Sequence, residues 1–170
     1  ESDGSPNGFH ILSVDGAHYT TTLVPARDPA RSQMRIVLDS QMHQADREVL
    51  RDYHSGALLA GPILQAAAAS TRVVVNLFDG GPKSSLSMTI GRDGKAIPMQ
   101  RVLRRDPFVD EVYARNVATK KPWVNSDRST HIWQGMLPAD LPAGTHRLTV
   151  SGTDEYGRPH TGWMVLEVTA

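Results

Sequence analysis

Seven histidines, His10, His18, His43, His54, His131, His146 and His160, stand in a chain of 170 residues that has no cysteine. Imidazole is the commonest metal-ligating side chain and the usual general base near neutral pH, so their spacing decides what chemistry is open. Local zinc pairs use H-x-x-x-H on a helix or alternate residues of a strand, and no two of these histidines are so related. A metal site would have to be assembled from distant strands; the plainer reading is surface or hydrogen-bonded histidines. Asp52-Tyr53-His54 forms a D-x-H triplet of the kind that opens a two-metal hydrolytic centre. Such a centre holds ions about 3.5–4 Å apart with several carboxylates and histidines. The companion blocks G-D-x-x-D, G-N-H-[DE] and G-H-x-H are absent from this sequence, so the triplet reads as coincidence. There is no G-x-S-x-G elbow, no phosphate loop ahead of a helix and no thiol nucleophile. Asp79-Gly80-Gly81-Pro82-Lys83 lies between two strand-like runs and reads as a hairpin connection rather than an anion-binding nest.

Three tryptophans offer binding rather than catalysis. Trp123 falls in a loop after Pro122, while Trp133 and Trp163 fall in strands beside Ile132 and Met164. If Ile132 and Met164 face the core, both indoles point outwards and join Trp123 as a candidate docking or glycan-stacking surface. The competing reading covers them with a second layer.

The elements that must position these residues are mostly strands. Phe9 to Val14 and His18 to Val24 flank Asp15-Gly16, a dipeptide suited to a tight turn, and form a predicted hairpin. Gln33 to Leu38 is a short strand, Thr71 to Phe78 a β-branched central strand, and Leu86 to Ile90 a further one. Ile97 to Leu103 is a strand that Pro98 marks as an edge or bulge. Asp106-Pro107 is an N-cap followed by proline at the first helical position, predicting a helix over about 106–118 with Phe108, Val109, Val112 and Tyr113 on its apolar stripe. Thr130 to Leu137 precedes a closing hairpin in which Leu148 and Val150, then Met164, Leu166 and Val168, alternate with polar residues around a turn at Gly157. Residues 39–69 read as an irregular, partly helical insertion, and 1–8, ESDGSPNG, as a linker from something upstream. Residues 9–170 are expected to form a single domain. The fold class is mainly β: an immunoglobulin-like or fibronectin-like antiparallel sandwich.

Eighteen basic and eighteen acidic residues leave no net charge, so there is no chain-wide basic field and nucleic acid is not expected as a partner, although local basic patches stay open. No apolar run reaches the roughly 18 residues of a membrane span. A domain of this size stands without disulfides, so the missing cysteines leave the compartment open.

Five blocks stand in order along the chain: Asp3-Gly4-Ser5-Pro6-Asn7-Gly8-Phe9-His10, Gln33-Met34-Arg35-Ile36, Val75 to Lys83, Ser129-Thr130-His131-Ile132-Trp133, and Leu137 to His146. In these blocks the sequence resembles the C-terminal domain of secreted bacterial calcineurin-like phosphoesterases. The resemblance implies an accessory, non-catalytic β-sandwich in a periplasmic or secreted protein. It also implies an upstream phosphoesterase domain as partner, with the divalent metal ions bound there and no catalytic, cofactor or metal residue in this segment. A carbohydrate- or envelope-binding module using Trp123, Trp133 and Trp163 is the alternative.

Overall fold

The computed structural model describes residues 1–26, 33–39 and 62–170. Among these, eleven strands form three sheets. Strands β1 (Gly8–Asp15) and β2 (His18–Pro25) pair antiparallel as a hairpin of their own, with Gly16 at φ 59° in the turn that Asp15-Gly16 predicts. Strands β3 (Met34–Leu38), β5 (Arg72–Leu77), β9 (Arg128–Met136) and β8 (Gln100–Arg105) form a four-stranded sheet in the order β3-β5-β9-β8. Strands β4 (Ile63–Leu64), β11 (Pro159–Thr169), β10 (Gly144–Thr153), β6 (Ser85–Ile90) and β7 (Ile97–Pro98) form a five-stranded sheet in that order.

The two larger sheets share one core. Val73, Val75, Leu77 and Trp133 from one meet Met88, Leu148, Val150 and Leu166 from the other, all buried. This is the mainly β sandwich expected from the alternation, and Leu148 and Val150 face inwards as predicted. The run predicted as one strand from Ile97 to Leu103 is divided. Pro98 ends β7 at the edge of the five-stranded sheet, buried Met99 crosses over, and β8 begins in the opposite sheet. Proline cannot extend a ladder, which is why the chain changes sheets there.

Helix α1 (Pro107–Arg115) starts where the cap signal puts it: Asp106 Oδ1 accepts from Phe108 N at 2.9 Å. It stops at Asn116, short of 118. Phe108 packs on a second apolar cluster of Val37, Val74 and Ile132 on the outer face of the four-stranded sheet. Of the expected insertion at 39–69, the described part holds β4 and a 3₁₀ helix, Gln65–Ser70; Asp52-Tyr53-His54 and His43 lie outside the described residues.

Trp133 corrects an expectation. Its side chain is 1 % exposed and sits in the inter-sheet core, while its neighbour Ile132 is also buried, in the outer cluster. Around Ile132 and Trp133 strand β9 is covered on both faces, so neither residue points to water.

Candidate functional site

The residues predicted to be a linker lie against the sandwich and meet its polar interior. Asn76 interrupts the apolar run of the central strand β5, and a buried amide in such a place needs partners. Its Nδ2 donates to Asp106 Oδ2 at 2.7 Å and to the Asp3 carbonyl at 3.3 Å, leaving Oδ1 to accept from His131 Nδ1 at 2.6 Å. The far ring nitrogen of His131 lies 3.2 Å from Asp3 Oδ2 and 3.4 Å from Ser5 Oγ. Arg35 Nη1 donates to Asp106 Oδ2 and to the Gly4 carbonyl, each at 2.9 Å, with its guanidinium 4.0 Å from the Phe108 ring centre. Gly4, at φ 91°, has no room for a side chain: a Cβ there would stand 2.2 Å from Asp106 Oδ2. Burial pushes the Asp3 carboxyl upwards, but hydrogen bonds from Ser5 N, His131 and the Ser5 hydroxyl outweigh it and hold the pKa below the ordinary value.

Beside this network a cavity of about 390 Å³ opens between the N-terminal segment, the hairpin root and the Asp79–Gly81 turn; Asp3, Ser5, His10, Asp79, Glu155 and Tyr156 line it. His10 Nε2 lies 3.3 Å from Asp79 Oδ1. The middle of strand β2 is held by the β10–β11 turn. Asp154 accepts from the backbone N–H groups of Tyr156 and Arg158, from Arg158 Nε at 2.5 Å, and faces His160 Nε2 at 3.0 Å. Arg158 then donates to the Thr21 carbonyl at 2.7 Å and to Thr22 Oγ1 at 2.5 Å, and Tyr156 shares a 3.0 Å hydrogen bond with Thr21.

Ser5, His131 and Asp3 have the composition of a hydrolytic triad without its geometry. Asp3 and Ser5 converge on the same ring nitrogen, and the proton needed for the carboxylate contact uses the lone pair that a general base would offer the hydroxyl. Among the described residues, no group of three or more His, Asp or Glu side chains is arranged to hold a metal ion. His146 Nε2 contacts the Pro142 carbonyl, at 2.8 Å.

Of the three candidate tryptophans, the structure leaves two at the surface. Trp123 is 73 % exposed with Lys121 Nζ 5.5 Å from its ring centre, and Trp163 is 59 % exposed under Arg147 at 4.8 Å. Trp133 is core. Sequence reading passed over Asp3, Arg35, Asn76, Asp106 and His131 as a set, although one signal was available: the lone amide inside Val73-Val74-Val75-Asn76-Leu77.

Together these features define a β-sandwich domain with a buried polar network tying its first residues to its core. The chain belongs to the family described as the C terminal of calcineurin-like phosphoesterase, whose match covers residues 1–160. No curated protein matches it. Among solved structures, a family 123 glycoside hydrolase from Clostridium perfringens, analysed for glycolipid glycan hydrolysis, is similar at 12 % identity and a TM-score of 0.26, over 81 % of this chain and 27 % of that one.

Proposed function

We propose that this domain is the non-catalytic accessory part of an exported, metal-dependent phosphoesterase and that it docks on the catalytic domain through the β1–β2 hairpin. The family supplies the parent enzyme, and the metal ions belong to the catalytic domain in this reading. The observation that carries it is the hairpin itself. Leu12, Val14 and Tyr19 share one face by register and are 61, 68 and 63 % exposed, while the hairpin pairs with neither larger sheet. Eight-residue strands reach about 26 Å, far enough to lay that face on a neighbouring domain. Glu1 lines the cavity at the hairpin's root, so a domain joined ahead of it emerges beside the arm. Burying three such side chains stabilises an interface by several kcal/mol before ordering costs, about 1.5–3 kcal/mol each.

Export is the location that the family resemblance implies. Hydrogen exchange tests the docking. Amides of β1 and β2 should be better protected in the full-length enzyme than in this chain alone, and Leu12→Ser with Tyr19→Ser should abolish the difference. Equal protection in both proteins would refute it. Glycan binding through Trp123 and Trp163 would instead show as a tryptophan fluorescence shift on adding polysaccharide.

A further inference from the structure

The outer surface of the four-stranded sheet carries a second concavity, of about 860 Å³, lined by Arg72, Arg104, Arg105, Arg128, Gln134 and Asp110 among others. In a chain whose formal charges cancel, this is a concentration of guanidinium groups with too few carboxylates. Arg72 and Arg104 share the single carboxylate of Asp39, at 3.2 and 2.8 Å. Arg104 also donates to Gln134 Oε1 at 3.2 Å. Asp110 accepts from the Ser126 hydroxyl and makes, with Asp39, two carboxylates against four guanidiniums. Arg105 and Arg128 stand directly opposite each other in the β8–β9 register, and neither has a carboxylate partner among the described residues.

Like charges placed opposite on paired strands destabilise a sheet, so this pair costs stability that a bound anion would return. An oxyanion between them would reverse the sign of that interaction. Guanidinium forks match the oxygens of phosphate two at a time, and they hold phosphate better than a point charge does because both partners are planar or tetrahedral with fixed spacing. Two facing guanidiniums can each offer such a bidentate grip to one phosphate. Arg105 and Arg128 together suit one phosphate, and Arg72 and Arg104, which share Asp39, extend the positive groove towards a neighbouring one.

We propose that this groove binds a soluble, phosphate-bearing polyanion, with Arg105 and Arg128 as its principal contacts. The groove shares no residue with the contacts that hold the β1–β2 hairpin, so binding there is independent of hairpin docking.

The test uses linear inorganic polyphosphate, inorganic phosphate and phosphatidylglycerol vesicles as probes, with titration calorimetry on the chain at low and near-physiological salt. Polyphosphate should bind far more tightly than phosphate, and binding should weaken as salt rises. Arg105→Gln and Arg128→Gln should each weaken it by about 10- to 100-fold, the worth of a charge-assisted hydrogen bond. Arg92→Gln, an exposed change in the β6–β7 connection, should leave it unaltered. Melting temperature separates binding from structure: removing one of two opposed cations should leave it unchanged or raise it. No binding of polyphosphate at low salt, equal binding by the groove variants, or capture by vesicles alone would each overturn the proposal.

Discussion

Replacing Asp154 by asparagine should weaken the domain strongly at neutral pH and hardly at all near pH 2. The buried carboxylate would have a raised pKa from desolvation, but the hydrogen bonds from His160, from the Arg158 and Tyr156 backbone and from the Arg158 side chain outweigh this and bring it from 3.8 down to about 2. A carboxyl depressed in the fold contributes stability that is complete above its open-chain value, near pH 4, and is lost as pH falls through about 2. That difference is worth about 2 kcal/mol. Asparagine removes the charge and turns an amide N–H₂ towards Arg158 Nε and His160 or towards the two backbone donors, so the loss at pH 7 should be about 2–4 kcal/mol. For a domain of this size that lowers the melting temperature by about 5–15 °C. Circular dichroism melts of both proteins from pH 7 to pH 2 supply the check, since every other carboxylate titrates in both and cancels. The gap should narrow steadily below pH 4. Because Arg158 would lose its anchor, the amides near Thr21 and Thr22 should also exchange faster at pH 7. A gap that stays constant across the range, or no loss at pH 7, would refute the reasoning.

Three further outcomes are expected. Val150→Asp puts an unpaired carboxylate in the inter-sheet core and should leave the chain unfolded or cost more than about 4 kcal/mol, read by denaturant titration. Trp133→Ala should cost about 3–5 kcal/mol by the same measurement, whereas Trp163→Ala should fall within about 1 kcal/mol of wild type. The chain alone should not hydrolyse nitrophenyl phosphate esters with added Mn²⁺; turnover lost in Asp52→Ala or His54→Ala would make the D-x-H triplet a genuine ligand pair.

The parts of the fold that were legible in the sequence are those whose causes are local. Asp15-Gly16 makes its turn from two residues, Asp106-Pro107 caps its helix from two more, and Leu148 with Val150 shows its buried face by alternation. Trp133 misled because alternation assumes one wet face, and β9 has none at this point: Phe108 of α1 closes the side on which Ile132 lies. The N-terminal network was illegible for a different reason. ESDGSPNG has the composition of a linker, and nothing nearby reveals that Asp3 will meet His131 or that Gly4 must admit Asp106. The groove arginines come from three strands, and only the register makes Arg105 and Arg128 neighbours.

The docking of the first residues also sets an order of events during synthesis. Asp3 and His131 are 128 residues apart, so the N-terminal segment leaves the ribosome long before its partner exists. At about 5–20 residues per second the wait is roughly 6–25 s, against about 1–10 μs for the β1–β2 hairpin to close. A two-stranded hairpin on its own is marginal in water, so β1 and β2 gain lasting support only once the β10–β11 turn, whose Tyr156 and Arg158 hold Thr21 and Thr22, has been made. Asp3 waits in the same way for His131, so the opening segment is fixed in place only after the later strands exist.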